Sequence, residues 1–514
     1  MDSRFATRRR AILLGLIGVL LAACGQPQEQ AAPTMSPSPE PTAAPTRQPT
    51  TRPSPTREPA ECKVFGSGSW KCGYLAVPED RTQPDSATIR LYAVVIPSAS
   101  DHREPDPLVF LSGGPGVSAM MAVGHIQAIL GDILQERDFV AFDQRGVGLS
   151  EPALDCPEYE EVLQETCGAD VSSEEARQRM FDAMRACRDR LTEEGANLSA
   201  YTSAASAADA HDLMDPLGYD RYNLYGGSYG ARLALTIMRD YPDEVRSAVL
   251  DSVGPPHEDV FELRAAGVQR ALERVFEQCA SSETCSEQYP DLPETFYALL
   301  DKLEQEPLPV SARGTTYQVG ADEFVELVLM GMYDTSAISG LASAIYKAAE
   351  GQTSSLSSQV EIVLSLSGIL WEGMHFSVWC AEEVPFNSAE DAAEINAVLH
   401  PAIVRGLEAD NLPWMVQLCE MWGAAEADAV EDEPVRVDVP TLILTGEFDP
   451  DTPLDFATST AEYLPKAQSF LIPGHTHDVL SSSACAREIM KQFLDAPEQI
   501  PDTSCLDESK LTFY

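Results

Sequence analysis

The sequence predicts an α/β protein, in which a doubly wound, mostly parallel sheet carries an inserted and mainly helical cap. Short apolar runs recur along the chain with helical stretches between them, and this alternation is typical of parallel strands. The interval from about Pro255 to Pro440 departs from it, since its apolar residues fall at helical spacing and no strand series is evident. We therefore assign residues 61–254 and 436–514 to the core, and residues 255–435 to the cap.

The predicted strands are short, continuous apolar runs, as expected where a sheet is buried on both faces. They comprise residues 73–78, 88–96, 107–111, 139–143, 222–225, 247–251, 441–445 and 469–472. The alanine-rich segment 203–217 is predicted to form a helix before the strand at residue 222. In the cap, the clearest helical spacing lies in residues 268–276, 324–332, 338–349 and 360–370.

One strand–turn–helix unit carries a candidate nucleophile. The segment Gly226–Gly230 follows a short apolar run and precedes residues 231–238, which have helical spacing. This is the context required of a G-x-S-x-G turn, in which a serine is presented on a strained bend between strand and helix. Small residues are needed at both ends of the turn because the strand and the helix pass close together. The pattern therefore predicts Ser228 as a nucleophile.

A nucleophilic serine needs a base, and the base needs an acid that orients it. In a chain with this kind of turn, the acid and then the histidine follow the serine in sequence. Asp449 lies directly after a late predicted strand, at the end where catalytic groups collect in open α/β sheets, with Asp451 and Glu447 as alternatives. His475 and His477 both follow the last predicted strand, and chemistry alone leaves both open as the base.

A glycine-rich loop supplies a candidate oxyanion hole. Residues 113–116 are Gly-Gly-Pro-Gly and directly follow a predicted strand. The intermediate of an acyl transfer needs two N–H donors directed at its developing negative charge. We predict the backbone N–H of Tyr229, next to the nucleophile, as one donor and that of Gly114 as the other, because glycine allows close approach of the main chain.

The amino terminus has the features of an export signal, which we assign to residues 1–23. A run of arginines precedes the apolar segment Ala11–Leu21, which is too short to span a bilayer. The tetrad ending at Cys24 resembles a bacterial lipobox, so Cys24 is expected to be lipidated. Residues 24–60 are rich in Pro and Thr and cannot bury a core, which predicts a disordered tether. The expected location is the bacterial cell envelope, with the protein lipid-anchored and facing the extracytoplasmic side.

The cysteines agree with an oxidising compartment. One of Cys156, Cys167 and Cys187 must remain unpaired, and pairing of Cys156 with Cys187 is favoured. No cysteine or histidine cluster has zinc-site spacing, so neither a metal nor a cofactor is predicted. Local spacing favours the pairs Cys62–Cys72, Cys279–Cys285, Cys380–Cys419 and Cys485–Cys505.

The charge balance narrows the range of partners. The chain carries 35 basic and 81 acidic residues, a formal net charge of −46. Such a surface disfavours nucleic acid and anionic lipid headgroups, so contact with a membrane is expected through the lipid anchor only. A cationic substrate, such as a peptide with a free amino terminus, would be attracted.

The carboxyl-terminal motifs resemble a known family. Gly446–Pro453, Pro473–Leu480 and the trailing Cys485 and Cys505 resemble the corresponding region of secreted tripeptidyl aminopeptidase-like proteins, which are serine peptidases related to prolyl aminopeptidases. The resemblance extends to residues 72–78, 113–116, 143–146 and the serine turn. It implies an α/β-hydrolase fold for residues 62–505.

The resemblance also bears on the base. In register with the family, the base is His477, although Thr476 replaces a glycine and Asp478 replaces a small residue. These two departures keep His475 as an alternative.

The resemblance implies amine recognition in the cap at Trp379–Glu383, where Glu382 and Glu383 would bind a substrate ammonium. The alternative for this pair is a solvated acidic face. The predicted function is that of a serine exopeptidase, a tripeptidyl- or prolyl-type aminopeptidase. A carboxylesterase acting on small esters would use the same triad, and an apolar cap mouth would favour it. A non-catalytic binding lipoprotein is the remaining alternative.

Overall fold

The computed structural model describes residues 56–64, 69–166, 174–366, 368–407, 412–508, 511 and 513. Within them, nine strands form one sheet and two further strands form a hairpin. The strands are β1 (Thr56–Ala60), β2 (Lys71–Pro78), β3 (Thr88–Ile96), β4 (Leu108–Leu111), β5 (Phe139–Phe142), β6 (Tyr222–Gly227), β7 (Val245–Asp251), β8 (Leu308–Ala312), β9 (Thr315–Val319), β10 (Thr441–Gly446) and β11 (Ala467–Ile472).

The large sheet confirms the predicted α/β class. Its order is β1-β2-β3-β5-β4-β6-β7-β10-β11, and the six strands from β5 to β11 in that order run parallel. The first three strands are antiparallel and extend one edge of the sheet. All of the strands predicted from apolar runs are present. Because the carboxyl ends of parallel strands meet at one edge, the loops after β4, β6, β10 and β11 lie close together.

The amino-terminal boundary of the folded part was predicted wrongly. The predicted tether extended to residue 60, but Thr56–Ala60 forms β1 and pairs with β2 in antiparallel register, Arg57 opposite Leu75 and Ala60 opposite Cys72. An edge strand can be held by main-chain hydrogen bonds alone, so its lack of large apolar side chains gives no sequence signal. The predicted signal peptide, Cys24 and the tether as far as residue 55 lie outside the described residues.

Helices on the two faces of the sheet complete the core. The helix predicted at 203–217 is observed with these bounds, and the helix after the serine turn is also present. The core helices are α1 (Ala119–Ile129), α2 (Pro157–Thr166), α3 (Glu174–Glu193), α4 (Ser203–Leu217) and α5 (Tyr229–Asp240), followed after the cap by α17 (Leu454–Tyr463), α18 (Val479–Ser482) and α19 (Ala484–Asp495).

The interval between β7 and β10 is mainly helical, as predicted, except for the hairpin of β8 and β9. Arg313 and Gly314 at its turn both have positive φ, of 49° and 82°, as a tight two-residue turn requires. The helices are α6 (Val260–Ser281), α7 (Glu283–Gln288), α8 (Leu292–Leu303), α9 (Ala321–Met332), α10 (Thr335–Ser339), α11 (Leu341–Ala349), α12 (Ser354–Leu366), α13 (Glu372–Glu382), α14 (Ala389–Asn396), α15 (Pro401–Arg405) and α16 (Leu412–Trp422).

The cap helices belong to two buried clusters. Met374 of α13 and Trp422 of α16 share a cluster with residues of the sheet such as Leu224. By contrast, Leu272 of α6 and Phe324 of α9 belong to a separate cluster within the cap. Thus α13 is packed as part of the core, directly above the sheet.

Disulfides are formed at all the predicted pairs within the described residues. Each has an S–S distance of about 2 Å, as expected for a covalent bond. Cys156 pairs with Cys187, as favoured, whereas Cys167 lies outside the described residues. Such disulfide usage indicates an exported protein. Within the part of the chain described, no helix has the length and hydropathy needed to cross a membrane.

Candidate active site

Ser228 lies on the bend between β6 and α5, with φ of 55° and ψ of −127°, a conformation that non-glycine residues rarely adopt. A Cβ atom at Gly226 would lie 2.1 Å from the carbonyl oxygen of Gly230, and one at Gly230 would lie 2.1 Å from that of Leu111. The Ser228 N–H donates to the carbonyl of Asp251 at 2.9 Å. Main-chain contacts therefore fix the strained position of the serine.

The glycine-rich loop after β4 packs against this bend. A Cβ atom at Gly113 would lie 3.2 Å from that of Ser228, and Gly114 has φ of 111°. The side-chain amide of Gln144 donates to the Ser112 carbonyl at 3.0 Å and supports the loop from below. Gly114, Ser228 and Tyr229 line one cavity. The residues of the two predicted donors and the predicted nucleophile thus lie at one cavity.

The structure brings Asp449 and His477 together at the ends of β10 and β11. His477 Nδ1 is 2.9 Å from Asp449 Oδ2 and 3.0 Å from Oδ1. Thr452 donates its backbone N–H to the same carboxylate at 2.9 Å and its hydroxyl at 2.7 Å. Asp449 is fully buried and His477 is 5% exposed. His477 Nε2 is buried without a hydrogen-bond partner among the described residues, so one ring nitrogen is held and the other is open.

The alternative residues have other partners. His475 Nδ1 is 2.9 Å from the Ser482 hydroxyl, on the surface side of the loop. Glu447 pairs with Arg274 at 2.8 Å. Asp451 pairs with Arg264 and accepts a hydrogen bond from Tyr333. None of these three contacts involves the His477 ring.

Electrostatics in the pair follow from burial and mutual attraction. Burial of the imidazole disfavours its charged form, but the Asp449 carboxylate outweighs burial and raises the pKa of His477 to about 9. Burial also opposes ionisation of Asp449, but the charge of His477 and the hydrogen bonds from Thr452 leave the pKa of Asp449 below its ordinary value. Asp449 is therefore ionised at neutral pH, and it fixes the His477 proton on Nδ1.

Two family models match the chain. The model of the α/β-hydrolase fold matches residues 106–287, which include Ser228, and the model described as TAP-like protein matches residues 408–505, which include Asp449 and His477. Together the two matches support a TAP-like α/β-hydrolase family for this chain. This confirms the resemblance that the sequence motifs indicated.

Three relatives illustrate how far the similarity extends. The chain is 30% identical to serine protease Hip1 of Mycobacterium tuberculosis (strain ATCC 25618 / H37Rv), over 42% of this chain and 43% of that protein. It is 31% identical to the tripeptidyl aminopeptidase of Streptomyces lividans, over 37% and 36%. It is 29% identical to carboxylesterase B of M. tuberculosis (strain CDC 1551 / Oshkosh), over 60% and 62%. Each alignment spans less than two thirds of the relative's length.

The cavity of this α/β hydrolase has mainly apolar walls. Among its described lining residues, Asp451 is the one carboxylate, and it is paired with Arg264. Apolar and aromatic side chains from core and cap form most of the surface: Val117, Val260, Phe261, Ile369, Leu370, Trp379 and Met415.

His375 also lines the cavity and was not predicted. It lies in α13, and its Nδ1 is 2.9 Å from the carbonyl of Pro115 in the glycine-rich loop. Burial lowers the pKa of His375 to about 4, so the ring is neutral at pH 7 and Nδ1 donates to the carbonyl. The Trp371 N–H donates to Gly116 in the same loop at 2.8 Å. Nothing in the sequence around His375 distinguishes it, because its partner is far away along the chain.

Glu382 and Glu383 do not lie where the sequence analysis expected. Both are buried, at 1% and 2% exposure, and neither lines the cavity. Glu382 accepts hydrogen bonds from the N–H and the hydroxyl of Ser203, each at 2.5 Å. Glu383 pairs with Arg232 of α5 and accepts from the N–H of Val260 at 2.8 Å. The solvated acidic face is excluded as well. Glu382 holds the end of α13 against the start of α4, and Glu383 holds it against α5, the helix that follows Ser228.

The segment after Asp143 has a structural role. Asp143 accepts hydrogen bonds from the Ser118 hydroxyl at 2.7 Å and the Leu149 N–H at 2.8 Å. Arg145 is fully buried and forms two hydrogen bonds with Asp209 of α4, at 2.7 and 2.8 Å. Arg145 therefore braces the core.

Proposed function

We propose that this chain is a serine peptidase in which Ser228 is the nucleophile, His477 the general base and Asp449 the residue that orients it. The observation that carries the proposal is the asymmetry of the His477 ring. Nδ1 is fixed by a buried carboxylate, whereas Nε2 is buried and has no partner among the described residues. An imidazole held in this way can accept a proton on Nε2 from a serine that lies on a strained bend at the same sheet edge.

The reaction follows from these positions. Ser228 Oγ bonds to the scissile carbonyl carbon while its proton passes to His477 Nε2, and the negative charge develops on the carbonyl oxygen. The backbone N–H groups of Gly114 and Tyr229 would stabilise this charge. The C–N bond then breaks, and His477 returns the proton to the leaving amine. Water then attacks the ester carbon of the acyl-enzyme while its proton passes to His477 Nε2. The bond from that carbon to Ser228 Oγ breaks, His477 gives the proton to Oγ, and the acid is released.

The more specific proposal is an aminopeptidase of the tripeptidyl or prolyl type. The similarity to serine protease Hip1 and to a tripeptidyl aminopeptidase supports peptide substrates. With Glu382 and Glu383 bonded internally, Asp451 is the described carboxylate that a substrate ammonium could reach from the cavity. A carboxylate has about four lone-pair positions, so Asp451 can accept a further hydrogen bond in addition to those from Arg264 and Tyr333.

A carboxylesterase is the second candidate, and a specific observation favours it. The cavity walls are apolar over most of their area, which suits a small hydrophobic ester better than a charged amino terminus. The relative named carboxylesterase B aligns over a larger share of the chain than the two peptidases do.

A comparison of three substrates separates the two candidates. They are a tripeptide anilide with a free amino terminus, its N-acetylated twin and a short-chain nitrophenyl ester. Cleavage of the free-amine peptide but not of its acetylated twin would support the aminopeptidase, and efficient ester cleavage with no difference between the two peptides would support the esterase. The activated ester follows the acyl transfer to Ser228 in either case. Ser228→Ala is the control, and activity that persists in it would contradict both candidates.

We also propose that export ends in lipid attachment at Cys24. The disulfides support an oxidising compartment, and the lipobox-like tetrad supports the modification. Mass spectrometry of the mature amino terminus tests it: diacylglycerol on Cys24 is expected, and an unmodified terminus would contradict the proposal.

A further inference from the structure

The residue before the candidate base is bonded to the cap. Thr476 is buried, and its hydroxyl donates to the carbonyl oxygen of Met332 at 2.5 Å, with the carbonyl of Phe448 at 3.1 Å. Met332 is the last residue of α9, and Phe448 directly precedes Asp449. One hydroxyl group therefore lies between the end of a cap helix, the loop of the acid and the loop of the base.

The next residue of the cap contacts the base itself. The Tyr333 ring stands edge-on to the His477 imidazole, with centroids 5.5 Å apart and an interplanar angle of 87°. The Tyr333 hydroxyl donates to Asp451, which also pairs with Arg264 of α6. Asp451 donates its backbone N–H to Asp449 Oδ1 at 3.0 Å. Both the acid and the base are thus in contact with groups that the cap fixes.

We propose that Thr476 and Tyr333 are positioning residues, through which the end of α9 sets the orientation of the His477 ring. The inference rests on the proposed serine mechanism. Among the described residues, hydrogen bonds hold only the Nδ1 edge of the ring, so the Tyr333 ring packed against it helps to decide where Nε2 points. A displacement of about 1 Å in a catalytic group can lower a rate about 100-fold.

The contact of Thr476 also explains a departure from the family pattern. In register with the family, a glycine would occupy this position, and glycine has no hydroxyl to donate. The hydrogen bond between the loop of His477 and α9 is therefore made by Thr476, the residue that departs from the family pattern.

Single-hydroxyl deletions in the full chain test the inference. Thr476→Val and Tyr333→Phe each remove one hydroxyl and keep most of the side-chain shape. Thr460→Val and Tyr346→Phe are matched controls, because the Thr460 hydroxyl bonds a carbonyl of its own helix at 2.7 Å and the Tyr346 hydroxyl bonds a carbonyl elsewhere in the cap. Thr476→Ser retains the hydroxyl and should restore the activity lost in Thr476→Val.

With a nitrophenyl ester as substrate, we expect Thr476→Val to lower kcat about 10- to 100-fold with little change in KM. The midpoint of its pH profile should move to lower pH, because a ring displaced from Asp449 loses the attraction that raises its pKa. Tyr333→Phe should act in the same direction with a smaller decrease, because the ring remains against His477. Both control variants should retain wild-type kcat and midpoint.

The inference is overturned if both test variants keep the wild-type kcat and midpoint, or lose activity only in proportion to the unfolded fraction measured by circular dichroism. Labelling with a fluorophosphonate distinguishes this from failure of the serine mechanism. If the wild type and Ser228→Ala react alike, the mechanism is wrong and the inference falls with it. If the wild type reacts and Thr476→Val and Tyr333→Phe react at its rate, only the positioning roles are contradicted.

Discussion

Ser228 is held by its own main chain, whereas His477 is held by side chains from several parts of the molecule. At the serine, Gly226 and Gly230 approach other backbone atoms so closely that neither position accepts a Cβ atom without a shift. At the histidine, the contacts are with the Asp449 carboxylate and the ring of Tyr333, which belongs to the cap. The first half of the site is local to one turn of the sheet, and the second depends on how the cap is seated.

The difference indicates which part of the site, the Ser228 bend or the contacts around His477, can change by single substitutions. A strained bend fixed by backbone atoms tolerates few substitutions, because every change of side chain near it acts on the fold as well. Side-chain contacts such as that between Thr476 and Met332 can change one at a time. We therefore expect variation in the cap to alter the base and the cavity, and to leave the nucleophile in place.

The largest effect is expected from Ser228→Ala, which removes the proposed nucleophile and leaves the backbone contacts of the bend intact. By comparison with other serine hydrolases, kcat should fall roughly 10⁶-fold. The melting temperature should stay at or slightly above that of the wild type, since alanine is smaller and no hydrogen bond of the Ser228 side chain is among the contacts described. Steady-state kinetics and a thermal melt on the same preparation check this, and near-normal rates would discard the assignment of the bend.

His477→Ala and His475→Ala should separate the base from its neighbour. Loss of the proposed base should cost about as much as loss of the proposed nucleophile. The His475 side chain, by contrast, contacts the Ser482 hydroxyl on the surface side of the loop, so its loss should have a small effect on rate. Both variants are assayed with the ester substrate at one pH and checked for folding. The reverse order of effects would move the base to His475, whose described contacts do not include the cap residue Tyr333.

The fold and the serine half could be predicted because their signals are local. Apolar runs indicate the strands, and the five consecutive residues Gly226–Gly230 indicate the bend. The hairpin of β8 and β9 also left a signal, since Gly314 lies at its turn between segments that alternate in burial, but the surrounding helical spacing obscured it.

The base half could be predicted only in part. The sequence could place Asp449 and His477 after neighbouring strands, and the structure brings the two together, but the other partners that surround them are distant along the chain. Met332 lies 144 positions from Thr476. The same reason explains why Glu383 was assigned to a substrate: its partner Arg232 lies 151 positions away, and a paired carboxylate cannot be told from a free one in sequence.

A substitution at Gly230 tests whether the bend at Ser228 depends on the close approach of backbone atoms. Helix propensity alone would favour alanine over glycine at Gly230 by about 1 kcal/mol. The contact with Leu111 should outweigh this preference, so we expect Gly230→Ala to lower the free energy of unfolding by about 3 kcal/mol. Urea unfolding measures the change, and Gly131→Ala is the control, because its Cβ atom would meet nothing closer than 3.6 Å. Equal stability of the two variants would contradict the close approach.

The pairing of His477 with Asp449 predicts a pH profile of activity with a midpoint above neutrality. Burial lowers the pKa of His477, but the Asp449 carboxylate raises it by a larger amount, and the resulting pKa is about 9. Only the neutral ring accepts the serine proton, so kcat/KM should rise roughly tenfold per pH unit at neutral pH and level off above the midpoint. Asp451→Asn removes a second negative charge that raises this pKa and should move the midpoint down by a smaller amount. Rates with the ester substrate, corrected for spontaneous hydrolysis, measure both profiles. A wild-type midpoint at the ordinary value of 6.5 would mean that the Asp449 carboxylate does not raise the pKa of His477. The base would then titrate like a histidine in water.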